Sequence, residues 1–290
     1  MSIRSSKKKK EGKKKPIWRV LNFFASFLLI LTLGATSQIL YEYNRYKSFY
    51  VSGDSMYPFF NKDATRTNLS SGLKEDYSSH DGDWGNYNDP RYKYTCDYGL
   101  LDEKDDFKEK IQRFDVVMAY FDSDYDVENG KFFDDDSHAA KIKRVYAFPF
   151  ESLYFDSEGN FFLKKAGEND YKEVRQLDIL YDDNHLKETT IGAKYATENN
   201  PLTLKEGEYF LIGDNRREGK SNDSRYEGPI GKMHSSDSRY PFGKDLIKGK
   251  IIAITGSATI EVKYDNDGKL ITSSNVNLGT ILFPWRYKEL

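Results

Sequence analysis

Ser55 lies in Ser52-Gly53-Asp54-Ser55-Met56-Tyr57-Pro58, where turn-forming residues would present its hydroxyl from a rigid loop. Gly53 permits a tight turn and Pro58 fixes the backbone at the exit. A serine hydroxyl becomes a nucleophile at neutral pH only with a base beside it. The four histidines, His80, His138, His185 and His234, fall in no recognisable triad motif and read as surface residues. A lysine can serve instead when burial strips water from its ammonium, because desolvation disfavours the charged form and lowers the pKa toward the working pH. Ser-Lys pairs are a variant of the triad logic. The candidate is Lys143, in Ala139-Ala140-Lys141-Ile142-Lys143-Arg144-Val145-Tyr146-Ala147-Phe148-Pro149. Strand alternation there sends Lys141, Lys143, Val145 and Ala147 to one face. Taken singly, each residue has a plainer reading: Ser55 as part of a turn, Lys143 as a lysine snorkelling at a sheet edge.

A third motif, Gly207-Glu208-Tyr209-Phe210-Leu211-Ile212-Gly213-Asp214-Asn215-Arg216, reads as a strand stopping in a polar turn. Its Asp, Asn and Arg could bond one another and the nearby backbone. Ser221-Asn222-Asp223-Ser224-Arg225 follows, and its Asp and Arg suit a charge-assisted pair that braces a site. By itself this segment is a structural turn.

The elements that must position these residues are mainly β. Short aromatic and β-branched runs bounded by Gly, Asp and Asn predict strands over Lys47 to Val51, Asp115 to Phe121, Ile142 to Phe148, Ser152 to Phe155, Phe161 to Lys164, Glu208 to Ile212 and Lys250 to Thr255. Ser157-Glu158-Gly159-Asn160 and Asp265-Asn266-Asp267-Gly268 read as hairpin connections, the second joining Ala258 to Tyr264 with Lys269 to Thr272. Asn61 to Gln112 is polar, with little periodic apolar pattern, and reads as an insertion. Its aromatics, Tyr77, Trp84, Tyr87, Tyr92, Tyr94 and Tyr98, imply that part of it packs on the body. The acidic stretch Asp122 to Asp136 lacks the regular spacing of a helix-loop-helix calcium site and reads as a solvated loop.

Charge is divided unevenly. The overall net charge of -2 comprises +8 over residues 1–19 and -10 over the rest. An acidic body would repel phosphate, which argues against nucleic acid as a partner. Val20 to Leu40 carries no charged residue and is long enough to span a hydrocarbon core. A cleavable signal peptide would also be basic and then apolar, but its core would be shorter and end at small residues, whereas Tyr41, Glu42, Tyr43 and Arg45 follow here. A retained anchor is therefore expected, with the lysine run holding its N-terminal end in the cytoplasm. The single cysteine, Cys96, leaves no internal disulfide and no thiolate metal cluster.

In order and chemistry these segments together resemble the type I signal peptidases. The resemblance runs through Ser-Gly-x-Ser-Met-x-Pro, Arg-x-Asp-Val-Val at Arg113 to Val117, Ile-Lys-Arg-Val at Ile142 to Val145, Gly-Asp-Asn-Arg, Ser-x-Asp-Ser-Arg, and Gly249-Lys250 before a terminal strand. It implies an antiparallel β-sheet catalytic domain with one N-terminal transmembrane helix. The parts would be a basic cytoplasmic tail over 1–19, an anchor over 20–40 and an extracytoplasmic domain over 41–290, with the insertion at about 61–112. It further implies a monomeric endopeptidase of the cell membrane, needing neither cofactor nor metal, that removes signal peptides from exported precursors after small residues, the substrate held as an added strand.

By the same resemblance, Ser55 attacks, Lys143 takes its proton, and the Ser55 N–H contributes to the oxyanion hole, with the Ser52 hydroxyl a further candidate. Ser221 would hydrogen-bond Lys143, with Asp214, Asp223 and Arg225 in support. Lys141 should tolerate replacement. Ser-x-Asp-Ser-Arg-Tyr occurs again at Ser235 to Tyr240, which would offer Asp237 and Arg239; spacing and the following residues favour the first copy. The chain departs from the family pattern at Phe59, at Phe114 and Phe150, where glycine is usual, and at Ala147. Two other readings are a relative that cleaves itself or one dedicated substrate, and a membrane-tethered binding protein on a catalytically dead scaffold.

Overall fold

The computed structural model describes residues 16–76, 89–133, 140–174, 193–216, 219–233, 238–266, 270–276 and 288–289. The four histidines, Ser235, Asp237, Tyr77, Trp84, Tyr87 and most of the basic tail lie outside them. The chain divides into two units, Met1–Arg45 and Tyr46–Leu290.

The first unit contains one helix, α1 (Pro16–Arg45). Proline suits its first position, because the missing N–H would have had no partner there. Ile17–Gln38, 22 residues that include an 18-residue stretch of mean hydropathy 1.8, is long and apolar enough to cross a membrane. The helix passes the expected end at Leu40 because no Gly or Pro interrupts Tyr41 to Arg45.

The second unit is built on antiparallel sheets. Its strands are β1 (Tyr46–Tyr50), β2 (Thr65–Asn68), β3 (Lys74–Asp76), β4 (Tyr92–Asp102), β5 (Val116–Ala119), β6 (Tyr125–Asp126), β7 (Lys131–Phe132), β8 (Lys141–Ala147), β9 (Ser152–Phe155), β10 (Phe161–Lys164), β11 (Lys172–Glu173), β12 (Leu202–Thr203), β13 (Phe210–Ile212), β14 (Ile247–Tyr264), β15 (Leu270–Val276) and β16 (Lys288–Glu289). The main sheet runs β13-β8-β5-β14-β4-β2-β3, with β1 on β4 and both β15 and β16 on β14. A smaller sheet runs β11-β10-β9-β12. β14 shifts register against β4 between Ile251 and Ala253 and again between Ile254 and Gly256, and such irregularities bend and twist a long strand.

The strands expected from sequence form, and the final hairpin pairs Ala258 with Val276 through to Tyr264 with Leu270. The 61–112 stretch is a different matter. It supplies β4, an inner strand that pairs with β1, β2 and β14, so it is part of the sheet's frame. Tyr94, Cys96 and Tyr98 alternate inward and pack with Ala258, Ile260 and Val262, which fulfils the packing expected of the aromatics. The solvated-loop reading of the acidic stretch also fails at its start. Asp122 and Asp124 are 6% and 1% exposed, because each finds protein partners that replace water. Asp122 accepts from the Gly231 N–H at 2.7 Å, and Asp124 pairs with Lys141 at 2.9 Å.

Candidate active site

Lys143 sits mid-strand in β8, opposite Val117 of β5. It is 2% exposed, because neighbours cover both faces of β8 from Lys143 onward. Ser55 is delivered by the loop after β1, whose apolar residues Val51, Met56, Phe59 and Phe60 sink into a cluster with Leu101, Val116 and Ile251. The two side chains meet: Lys143 Nζ lies 2.9 Å from Ser55 Oγ, and it donates to the Ile142 carbonyl at 3.0 Å. Burial pushes the Lys143 amine down to about 8; the Asp223 charge opposes that fall, and the Lys141 charge adds to it. A neutral amine is thus accessible near physiological pH, in contact with a hydroxyl.

Gly213, Asn215 and Ser221, from the chain after β13, lie against the Ser55 loop. Asp223 and Arg225 form a pair 2.9 Å apart with neither side chain exposed. Burial pushes the Asp223 carboxyl up, but the Arg225 charge and hydrogen bonds outweigh it and hold the carboxyl below its ordinary value. Asp223 also accepts from the Gly213 N–H at 2.9 Å and caps the short helix Ser224–Glu227 through the Arg225 N–H. Gly213 is where the strand end, Ser221 and the Ser55 loop converge. A Cβ there would overlap Ser221 Oγ and the Ser55 carbonyl oxygen, and would stand 2.8 Å from Ser221 Cβ.

One expectation needs correction. Ser221 is buried beside the site, but it does not bond Lys143. Its hydroxyl contributes to holding Asp223 low, yet has no aligned hydrogen-bond partner among the described residues. Asp214 takes both ends of the Arg144 guanidinium, at 3.0 and 2.6 Å. Lys141 pairs with buried Asp124 at 2.9 Å. Ser52 is exposed, and the second copy of the repeated motif is described only at its end, where Arg239 and Tyr240 meet Tyr125.

Sequence reasoning assigned no role to Arg144 or Asn61, and gave Asn215 only bonds within its own turn and to the nearby backbone. Arg144 joins three points of the family pattern: it pairs with Asp214, donates to the Phe114 carbonyl at 2.7 Å, and stacks over Phe59 at 4.6 Å. Its position beside Lys143, on the opposite strand face, was the available signal. Asn215 donates from its side chain to the Asp54 carbonyl and from its N–H to the Ser55 carbonyl, each at 3.0 Å. The departures at Phe114 and Phe150 keep the backbone a glycine would have, with φ of 71° and 69°.

An antiparallel β scaffold that sets a serine hydroxyl against a buried lysine amine is an arrangement in which a lysine can activate a serine. A family profile described as signal peptidase, peptidase S26, matches residues 21–236. The chain belongs to that family and is a signal peptidase, a serine endopeptidase that acts on precursors bearing signal peptides. Among solved structures it is similar to a signal peptidase I from Enterococcus faecalis, at 20% identity and a TM-score of 0.28, over 48% of this chain and 95% of that one. No curated protein sequence matches it.

Proposed function

We propose that this enzyme cleaves exported precursors through Ser55 as nucleophile and Lys143 as general base. The observation that carries the reading is the 2.9 Å approach of Lys143 Nζ to Ser55 Oγ, with the amine buried and pushed down to about 8. Neutral Lys143 takes the hydroxyl proton as Ser55 Oγ bonds to the scissile carbonyl carbon. The resulting ammonium returns that proton to the departing amine as the C–N bond breaks. Water, deprotonated by the same amine, then attacks the ester and releases the signal peptide and free Ser55.

The Ser55 N–H is one donor to the oxyanion. Asp223, paired with Arg225, keeps Gly213 in place, and Asp214 does the same for Arg144. Residues 141–143 of β8 lie beyond the reach of β13, which pairs only with residues 144–147, so that stretch suits an added substrate strand. Both reacting groups come from one chain, so the reading needs no second copy. α1 anchors the enzyme in the cell membrane, with the lysine-rich end inside and the catalytic unit outside.

The test uses detergent-solubilised protein and a precursor with an Ala-x-Ala site, sequencing the new N-terminus. Ser55→Ala and Lys143→Ala should each abolish cleavage, the double variant being no worse. Replacing all four histidines should leave substantial activity. Loss of activity with any one histidine, in folded protein, would make Lys143 the wrong base.

A further inference from the structure

The loop that delivers Ser55 contains a residue that sterics do not hold. Gly53 has φ of +111°, and a Cβ there would meet no atom within 4 Å. A peptide plane beside such a residue turns readily unless its carbonyl is tied. Asn61 supplies the tie. Its side-chain amide donates to the Val51 carbonyl at 3.0 Å and to the Gly53 carbonyl at 3.2 Å, bracketing Ser52. Asn61 is itself fixed to β4: its Oδ1 accepts from the Asp97 N–H at 2.9 Å, and the Asp97 carboxylate accepts from the Asn61 N–H at 2.7 Å. The residue is 1% exposed and has φ of 63°, a left-handed conformation that asparagine tolerates better than most residues.

This clamp has a consequence for the next peptide. In a trans peptide the carbonyl and the following N–H point in opposite directions. Because Asn61 is buried, the Gly53 carbonyl points into the protein and the Asp54 N–H points outward. Asn215 fixes the next two carbonyls, those of Asp54 and Ser55. If the Gly53–Asp54 plane turned over, a carbonyl dipole would replace an N–H beside the nucleophile, repelling the negative charge that develops on the substrate oxygen.

We propose that Asn61 is a positioning residue for the hydrolysis, locking the Gly53–Asp54 peptide so that the nucleophile loop keeps its N–H groups outward. This rests on the reading of Ser55 as nucleophile. Two variants test it in the detergent-solubilised full chain with the Ala-x-Ala precursor. Asn61→Gly keeps the left-handed backbone and deletes the amide; Asn61→Asp keeps the size and the acceptor for Asp97 but removes both donor bonds. In folded protein each should lower kcat about 10- to 100-fold, the scale of a small misplacement of reacting groups. KM should stay within about twofold, and the pH midpoint of kcat/KM should not move, since Lys143 is untouched.

Unchanged kcat in either folded variant would overturn the proposal, as would a rise in KM alone or a shifted pH midpoint. Should Asn61→Gly fail to fold, Asn61→Asp decides. Ser55→Ala is assayed alongside. If it still cleaves, the nucleophile assignment is wrong; if it is dead while the Asn61 variants keep their kcat, only the present inference falls.

Discussion

Replacing Lys143 with Met should make the protein more stable at neutral pH, and the gain should vanish in alkali. The amine falls from 10.5 in its ordinary state to about 8 in the fold. Between those values the unfolded chain holds a proton that the folded chain does not, so wild-type stability rises with pH across that window. Below 8 both states are protonated and the full burden of a buried ammonium is present. At 1.36 kcal/mol per unit, that burden is about 3 kcal/mol. Met fills a similar volume without charge. Unfolding both proteins in urea at pH 7 to 10.5, followed by near-ultraviolet circular dichroism of buried tyrosines such as Tyr94 and Tyr146, gives a difference curve in which other titrating groups cancel. The excess stability of Lys143→Met should be greatest at pH 7 and shrink by about 3 kcal/mol toward pH 10.5. In the wild type, kcat/KM should rise roughly tenfold per pH unit up to about 8 and then level. A difference curve flat in pH, or a rate profile flat across 8, would show that Lys143 is not desolvated.

Gly213→Ala would drive a methyl into Ser221 and the Ser55 carbonyl, so its cleavage rate should fall at least about a hundredfold; near-wild-type kcat/KM would mean that this convergence does not set the site. Phe150→Gly relieves a left-handed residue that is 58% exposed and should raise the urea midpoint, by up to about 1 kcal/mol of stability. Phe114→Gly should instead lower stability by about 2 kcal/mol, because it removes edge contacts with Tyr146 at 5.2 Å and Phe161 at 6.4 Å. Lys141→Ala strands the buried Asp124 carboxylate and should cost about 2 to 3 kcal/mol, most of it recovered when Asp124→Asn is added; calorimetry of the single and double variants decides.

The sequence alone determined what depends on near neighbours. An uncharged apolar run defines a helix that can span a membrane, and alternation defines β8, β9 and β10, because each property repeats within a few residues. Turn chemistry marked the Ser55 loop, and the order of the motifs carried the family. β4 was legible in principle from Tyr94, Cys96 and Tyr98, but its polar outward residues disguised it as an excursion. The tertiary structure alone decided which polar groups meet. Ser55 and Lys143 stand 88 residues apart, Arg144 and Asp214 70, and Asn61 and Asp97 36. Burial leaves each such group to find a partner wherever the sheet brings one, and that choice depends on register and approach, which no local pattern encodes. For the same reason Asp122 and Asp124 could be drawn inside, and Ser221 could lie beside Lys143's carboxylate neighbour without reaching the lysine.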